Sequence, residues 1–177
     1  MIKFIETERL VLYPCTQQMA EAAIQGNKAL AKLLQVNVPQ VWTEFGAPAF
    51  TFTLEKMRLF PDEFGWLTYL PVYKPDNMLV GSCGYTGKPD AGGMVEIGYE
   101  VAPHYRNRGI ATEIASALIA HAFEFNEVLI VQAHTLAEKN ASGKVLQNCG
   151  MILTDEIMHP QDGKLWLWKL HRNQYNK

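Results

Sequence analysis

The chain has 177 residues and a mass of 20.0 kDa, which is enough for one domain and short for two. Hydrophobic residues make up 48% and charged residues 19% of the chain, as in an ordinary globular protein. The formal net charge is -2, so no global positive field favours nucleic acid or an anionic membrane. We therefore expect a single domain over residues 1–177, with neither nucleic acid nor membrane among its partners.

The cysteines and the N-terminus bear on metal binding and location. Cys15, Cys83 and Cys149 are scattered singly, without any C-x-x-C spacing. This pattern argues against a zinc site or a redox dithiol and is typical of a reducing compartment. The first residues carry charge too early for a signal peptide, and no apolar stretch approaches the ~20 residues of a membrane span. We expect a cytoplasmic protein without a metal site.

The first third of the chain alternates between strand-like and helical patterns. A short β-prone stretch covers 8–14, and helical stretches follow over roughly 17–25 and 27–35. Thr16 is placed to cap the first of these helices. Residues 36–50 mix prolines, a glycine and aromatic residues, which is typical of a structured loop.

From Phe64 onward the pattern is that of strands joined by tight turns. Proline-containing and glycine-containing turns at 74–77 and 88–93 separate the β-prone runs. These runs predict an antiparallel meander over 65–73, 78–86 and 94–101.

After Pro103 the chain returns to helices alternating with strands. The strand–helix–strand order implies a parallel crossover, and two terminal strands close the sheet. The whole pattern predicts an α/β (α+β mixed) fold, with a mixed, mostly antiparallel sheet of about seven strands flanked by about four helices. The elements in this part are a helix at 109–125, a strand at 128–133, a helix at about 141–148, and strands near 151–157 and 164–171.

The most informative segment is 106–111 (RNRGIA), between a strand and a long amphipathic helix. Gly109 permits a backbone conformation that other residues resist, and the first amides of a helix are free to bind phosphate oxygens. Arg106 and Arg108 add positive charge. Taken alone, Arg-x-x-Gly is also a common surface turn. Neither G-x-x-x-x-G-K-S/T nor a G-x-G-x-x-G after a strand occurs, which argues against P-loop and Rossmann proteins.

A resemblance to a known family rests on this segment. Residues 96–113 (EIGYEVAPHYRNRGIATE) resemble the acyl-CoA-binding motif of the GNAT superfamily of N-acetyltransferases, whose core is Q/R-x-x-G-x-G/A. Arg106, Gly109 and Ala111 occupy its three defined positions. Residues 132–151 resemble the family's next strand and its Asn–Ser helix start.

The opening of the chain adds to this resemblance. Residues 7–12 are similar to the first strand of the branch that contains the ribosomal-protein N-terminal acetyltransferases. Many members of that branch carry an arginine one or two positions later, where this chain has Tyr13 and Pro14. The resemblance spans nearly the whole chain and is weakest over 27–65.

The resemblance implies a GNAT-like domain whose sheet splays between 94–101 and the next parallel strand. Acetyl-CoA, the cosubstrate, lies in that opening. The backbone of Val101 then pairs with the pantetheine arm, and Asn140 bonds the same arm. Asn140 is equally well placed to cap a helix. The implied pyrophosphate-binding residues are Arg106, Asn107, Arg108, Gly109, Ile110 and Ala111.

The resemblance also suggests which residues carry the chemistry. An alkyl ammonium must lose a proton before it can attack, and Glu96 is the candidate base. Many members of the family use a tyrosine on the last helix as the acid, but none occurs between 106 and 174. Ser142 is the candidate acid for the leaving thiolate instead, because some members of the ribosomal-protein branch resemble this pattern. Glu96 also suits an exposed strand position, and Ser142 suits a helix start. His134 is a reserve candidate, because its strand borders the cleft. Positioning of the two substrates could itself supply much of the rate.

These expectations lead to one function and one alternative. We expect an N-acetyltransferase that moves the acetyl group of acetyl-CoA to a primary amine, on a small molecule or a protein N-terminus, by direct attack in a ternary complex. The alternative is a non-catalytic acyl-CoA sensor or interaction module. Homodimers are common in the family, so a homodimer is one expected assembly. Candidates for the acceptor-pocket wall, which suit the core equally, are Trp42, Phe45, Phe64, Trp66 and Tyr99.

Overall fold

The computed structural model describes residues 3–175. Its α-helices are α1 (Gln17–Gln25), α2 (Asn27–Leu34), α3 (Gly46–Leu59), α4 (Ile110–Ala122) and α5 (Ala141–Asn148). Its strands are β1 (Ile5–Glu6), β2 (Leu10–Pro14), β3 (Thr68–Tyr73), β4 (Met78–Leu79), β5 (Gly81–Tyr85), β6 (Met94–Val101), β7 (Ile130–Leu136), β8 (Ile152–His159) and β9 (Gly163–His171). They form one sheet in the order β1-β2-β3-β5-β6-β7-β9-β8, with β4 paired to β3.

This architecture confirms the predicted mixed α/β fold. The strands from β1 to β6 are antiparallel neighbours, and β6 pairs with β7 in parallel after the α4 crossover. Thr16 caps α1 as predicted, because its hydroxyl accepts a hydrogen bond from the Met19 amide at 3.2 Å. The sheet has nine strands rather than about seven, and five α-helices are described in residues 3–175 rather than about four.

The predicted loop over 36–50 is wrong at its end, because α3 begins at Gly46. The prolines and aromatics that suggested a loop fit this helix once it is packed. Pro48 lies in the first turn, where a missing amide hydrogen costs nothing. Phe50, Leu54 and Met57 recur at helical spacing and are buried. Packing of this face therefore decides the conformation.

A smaller correction concerns β7, which runs from Ile130 to Leu136 rather than over 128–133. His134 consequently lies within the strand and not at its end. Its side chain therefore has a fixed face and register. This difference matters for the site described below.

The two faces of the sheet have different covers. On one face, the Tyr85 hydroxyl donates to the Leu118 carbonyl of α4 at 2.6 Å. On the other, α3 lies over β3, where Thr53 Oγ1 is 3.1 Å from Thr68 Oγ1. Thr68 pairs with Gly84 in register, and Gly84 pairs with Gly98, so these three residues lie on the same face. The alternate β6 residues 96, 98 and 100 therefore also lie on the face covered by α3.

The sheet opens between β6 and β7. β7 pairs with β6 only over Met94–Glu96, whereas β6 continues along β5 to Val101. The Glu96 carbonyl accepts from Thr86 at 3.1 Å, and the Ala102 amide donates to Val80 at 2.8 Å. The even-numbered residues of β6 therefore direct their amide and carbonyl groups toward β5. Because these directions alternate along a strand, the backbone groups of Tyr99 and Val101 are directed into the opening. This is the splayed cleft that the sequence predicts.

Candidate active site

The turn after β6 presents backbone amides at the start of α4. Asn107 and Gly109 take left-handed conformations, with φ of 60° and 75°. No side chain from residues 3–175 caps α4, so the amides of its first turn have no protein partner there. These amides lie at the positive end of a 13-residue helix. The turn can hold an anion such as a pyrophosphate.

The arginines of this turn are held by the protein itself. Arg106 donates from Nε to the Val101 carbonyl at 2.9 Å and pairs with Glu44 at 2.7 Å. The Arg108 guanidinium lies 4.9 Å from the centre of the Tyr105 ring. The structure thus brings Val101 together with the whole 106–111 turn. The Val101 carbonyl is occupied by Arg106, whereas the Val101 amide is directed into the opening.

Asn140 and Ser142 lie at the start of α5. The Asn140 side chain accepts a hydrogen bond from the Gly143 amide at 3.0 Å, so its helix-capping role is confirmed. The Ser142 carbonyl accepts from the Tyr99 hydroxyl at 3.4 Å, which connects α5 to β6. Burial raises the pKa of Tyr99 above its ordinary value. The start of α5 is therefore fixed beside the strand that borders the opening.

Glu96 lies where the pairing of β6 with β7 ends, and both of its carboxylate oxygens are engaged. Gln132 Nε2 donates to Oε2 at 3.0 Å, and His134 Nδ1 is 2.7 Å from Oε1. The three side chains share the face opposite α4, because Glu96 is opposite Gln132 in register and His134 is two residues further along β7. The Glu96–His134 contact escaped the sequence analysis, although alternation along two parallel strands could have suggested it.

A groove of about 240 Å³ lies on the same face, between Phe45 and the paired strands β5 and β6. Its floor is bare backbone, because Gly84 and Gly98 are direct partners in register. A methyl group on Gly98 would meet no atom within 4 Å, which shows that the space above it is open. Glu100 connects the segment that leads to Phe45 with strand β5. Its carboxylate accepts from the Thr43 hydroxyl at 2.5 Å, the Glu44 amide at 2.9 Å and the Ser82 hydroxyl at 3.0 Å.

Few of the aromatic candidates lie at this groove. Phe45, exposed over 66% of its surface, lines it. Tyr99 borders it with its backbone, because the alternation of β6 puts the ring on the opposite face, where the hydroxyl bonds Ser142. Trp42 is buried against Phe50. The remaining two lie elsewhere, Trp66 packed on Tyr85 and Phe125, and Phe64 at a separate cavity beside Met57 and Phe60.

The opening motif of the chain has a structural role at α4. The Glu113 carboxylate accepts from the Thr7 hydroxyl at 2.5 Å, from the Arg9 amide at 3.0 Å and from Arg9 Nε at 2.7 Å. Arg9 also donates to the Arg108 carbonyl at 3.0 Å. Burial opposes ionisation of Glu113, but the hydrogen bonds from Thr7 and Arg9 keep its pKa below the ordinary value. Thr7 and Arg9 therefore hold the 106–111 turn in place against α4.

No helix in residues 3–175 is long and apolar enough to cross a membrane. The same range contains no group of three or more His, Cys, Asp or Glu side chains arranged to hold a metal ion.

A family model, described as the acetyltransferase (GNAT) domain, matches residues 9–152. The chain belongs to the GNAT acetyltransferase family. The resemblance stated from the 96–113 motif is thereby confirmed, and so is the classification as an acyltransferase.

Known proteins agree with this GNAT assignment. The chain is 29% identical over 153 residues to YjdG of Bacillus subtilis (strain 168), named an uncharacterized N-acetyltransferase, with 84% of this chain and 89% of that protein covered. The ribosomal-protein-S5-alanine acetyltransferase of Vibrio fischeri superposes with a TM-score of 0.72 at 14% identity, covering 99% of this chain and 100% of the other. RimL, a ribosomal L7/L12 alpha-N-protein acetyltransferase solved with coenzyme A, gives the same score and identity over 98% and 100%. At such identities the two structures show a shared fold.

Proposed function

We propose that this GNAT protein is an acetyl-CoA-dependent N-acetyltransferase of one domain, acting on a primary amine of a small molecule or a protein N-terminus. The observation that carries the proposal is the separation of β6 from β7 after Glu96, with the backbone of Tyr99 and Val101 directed into the opening. A pantetheine arm contains amide groups and is complementary to a free strand edge. The coenzyme A complex of a protein with the same fold supports this use of the cleft.

The rest of the cofactor site follows from the same geometry. Amides of 106–111 and the dipole of α4 suit the pyrophosphate, with the charge of Arg106 and Arg108 beside it. Asn140 and Ser142, at the start of α5, are proposed to contact the arm beside Tyr99. The Asn140 side-chain carbonyl caps α5, which leaves its amide NH2 for the pantetheine.

The acceptor side is the face that bears Glu96. Acetyl-CoA supplies a reactive thioester, and an amine in the groove under Phe45 reaches it across Gly98. The Glu96–His134 pair is proposed to receive the amine's proton, and the Ser142 hydroxyl to supply a proton to the leaving thiolate. Direct attack in a ternary complex needs no covalent enzyme intermediate.

Calorimetric titration of acetyl-CoA and of coenzyme A, followed by a panel of amines assayed for thiol release, tests the proposal. We expect micromolar binding of both cofactor forms and turnover of at least one amine. The panel should combine polyamines, aromatic amines and short peptides with free N-termini. Binding without thiol release from any amine would favour the acyl-CoA sensor. A folded protein that binds neither cofactor form would contradict both functions.

A further inference from the structure

The contact between Glu96 and His134 raises the question of which group takes the amine's proton. The sequence points to Glu96. In the structure, however, one Glu96 oxygen accepts from Gln132 and the other lies 2.7 Å from His134 Nδ1. Within residues 3–175, the His134 imidazole makes this one hydrogen bond, through Nδ1.

The geometry fixes the tautomer of the ring. A carboxylate only accepts hydrogen bonds, so the 2.7 Å contact requires the proton on Nδ1 of His134. The proton on Nδ1 leaves Nε2 with a lone pair. A carboxylate that orients an imidazole in this way is a recurring device in general-base catalysis. An imidazole is also a stronger base than a carboxylate and titrates closer to neutral pH.

We infer that His134 Nε2 is the general base of the proposed acetyl transfer and that Glu96 is its positioning residue. The inference rests on the proposed function and reverses the sequence-based assignment of the base. Gln132, 9% exposed, donates to the second oxygen of Glu96 and so restrains the carboxylate beside the imidazole.

Acetyl transfer removes two protons from the ammonium. His134 Nε2 takes one of them, and the freed nitrogen lone pair forms the C–N bond at the thioester carbonyl carbon. The C–S bond then breaks, and its electron pair leaves on the thiolate sulfur. The nitrogen loses a second proton as the amide forms. Of these two protons, one ends on the thiol of coenzyme A and the other leaves through His134 to water.

Other titratable groups share the face of this pair. Register and alternation place Glu100 of β6, Lys169 and His171 of β9, and Asp155 and His159 of β8 on that face of the sheet. Lys56 of α3 donates to the carbonyl of Thr86, the residue whose amide bonds the Glu96 carbonyl. The Glu100 carboxylate already accepts hydrogen bonds from the Thr43 hydroxyl and the Glu44 amide. On β5, the neighbouring residues of that face are Ser82 and Gly84, which are uncharged.

Two variants distinguish the base from the positioning residue through the pH dependence of kcat/KM. In the wild type we expect kcat/KM to rise with pH to a plateau, as a general base in the free enzyme requires. In His134→Gln we expect a loss of about 100-fold or more at pH 7, with a rise that continues toward the pKa of the free amine. Glu96→Gln should lose less and keep a plateau, because the imidazole that acts as the base is still present.

Controls separate chemistry from folding. His159→Gln removes another histidine whose Nδ1 is near a carboxylate, at 3.0 Å from Asp162 in the β8–β9 hairpin, and should leave kcat/KM unchanged. Both active-site variants should bind acetyl-CoA with wild-type affinity. A plateau kept in His134→Gln but lost in Glu96→Gln would overturn the inference, because Glu96 would then be the base.

A second measurement is independent of turnover. Nitrogen-15 shifts of the His134 ring should show a protonated Nδ1 and a bare Nε2 in the wild type, and this preference should weaken in Glu96→Ala. The opposite tautomer in the wild type would overturn the inference. If the wild type is active and His134→Gln has the same kcat/KM, the assignment of His134 as the base is refuted and the proposed function stands. If the wild type acetylates no amine, both the proposed function and the assignment of the base are refuted.

Discussion

Gly109 shows how a single residue sets the geometry of the proposed pyrophosphate site. Its φ of 75° turns the chain from β6 into α4, and a Cβ there would lie 3.5 Å from the Arg9 guanidinium. A side chain at this position therefore changes both the backbone and the space in front of the α4 amides.

We predict that Gly109→Glu lowers acetyl-CoA affinity by at least about 100-fold, because its carboxylate repels the pyrophosphate and fills its place. Calorimetry measures the affinity. Gly163→Glu is a matched control: its φ is 74° and a Cβ there meets no atom within 4 Å, so it carries the same backbone strain in a hairpin outside the site. Equal affinity losses in both variants would assign the effect to strain and would contradict the placement of the site.

Residue types alone did not define the side-chain environment of the site. The Arg106–Ala111 motif can be recognised from the sequence because its proposed function depends on backbone amides that a glycine at a fixed position makes accessible. The role of His134 depends on the register of two strands and on where their pairing ends, at Glu96 and Gln132. An error of three residues in the end of β7, at 133 instead of Leu136, placed His134 at a strand end and concealed its contact with Glu96.

At the scale of elements, the N-terminal segment and α4 are joined through one carboxylate. Glu113 accepts three hydrogen bonds from Thr7 and Arg9, and its pKa is lowered by them against the effect of burial. A carboxylate with a lowered pKa in the folded state stabilises the fold above its unfolded pKa, and this stability is lost as pH falls through the folded pKa.

We predict that Glu113→Gln lowers the free energy of unfolding by about 1–3 kcal/mol at pH 7. The difference from the wild type should shrink as the pH falls below the unfolded value of about 4 and through the lower pKa of the folded state. Urea unfolding at pH 7 and at pH 3 measures this. Glu156→Gln, which removes a fully exposed carboxylate bonded to Lys164 and Trp166, should change stability little. A loss for Glu113→Gln that is independent of pH would show that packing, not charge, is responsible.

Elements with local signals were predicted well, and elements that depend on packing were not. The sequence located α1 and α5 through their capping residues, Thr16 and Asn140, which act within one turn. It missed α3, whose buried residues pack against α1 and whose local composition suggests a loop. The meander from β3 to β6 was predictable, because turn residues mark its ends.

At the scale of the whole molecule, the sheet consists of two halves joined by a short parallel contact. β6 and β7 share three register pairs, Met94–Ile130 to Glu96–Gln132, and then diverge. A ligand in the opening that bonds to the free edge of β6 adds the equivalent of a short strand. The cofactor would then complete the hydrogen bonding of the sheet as well as supply the acetyl group.

Hydrogen exchange provides a residue-by-residue test of this arrangement. On saturation with coenzyme A, we predict slower exchange at the amides of Tyr99 and Val101, which point into the opening. The amides of Gly98 and Glu100 should change little, because they already face β5. Equal slowing at all four amides would mean general tightening and would contradict a strand-like contact.

The opening between β6 and β7 also has a consequence for how such proteins diverge. Groups of the backbone persist through nearly every substitution, so a lineage can change the side chains of β6 while it keeps its acetyl donor. On the proposed acceptor face, Phe45 lines the groove, and Glu96 and His134 lie on the same face of the sheet, so each substitution there would alter what fits. Under the proposed function, new acceptors could therefore arise without rebuilding the donor site.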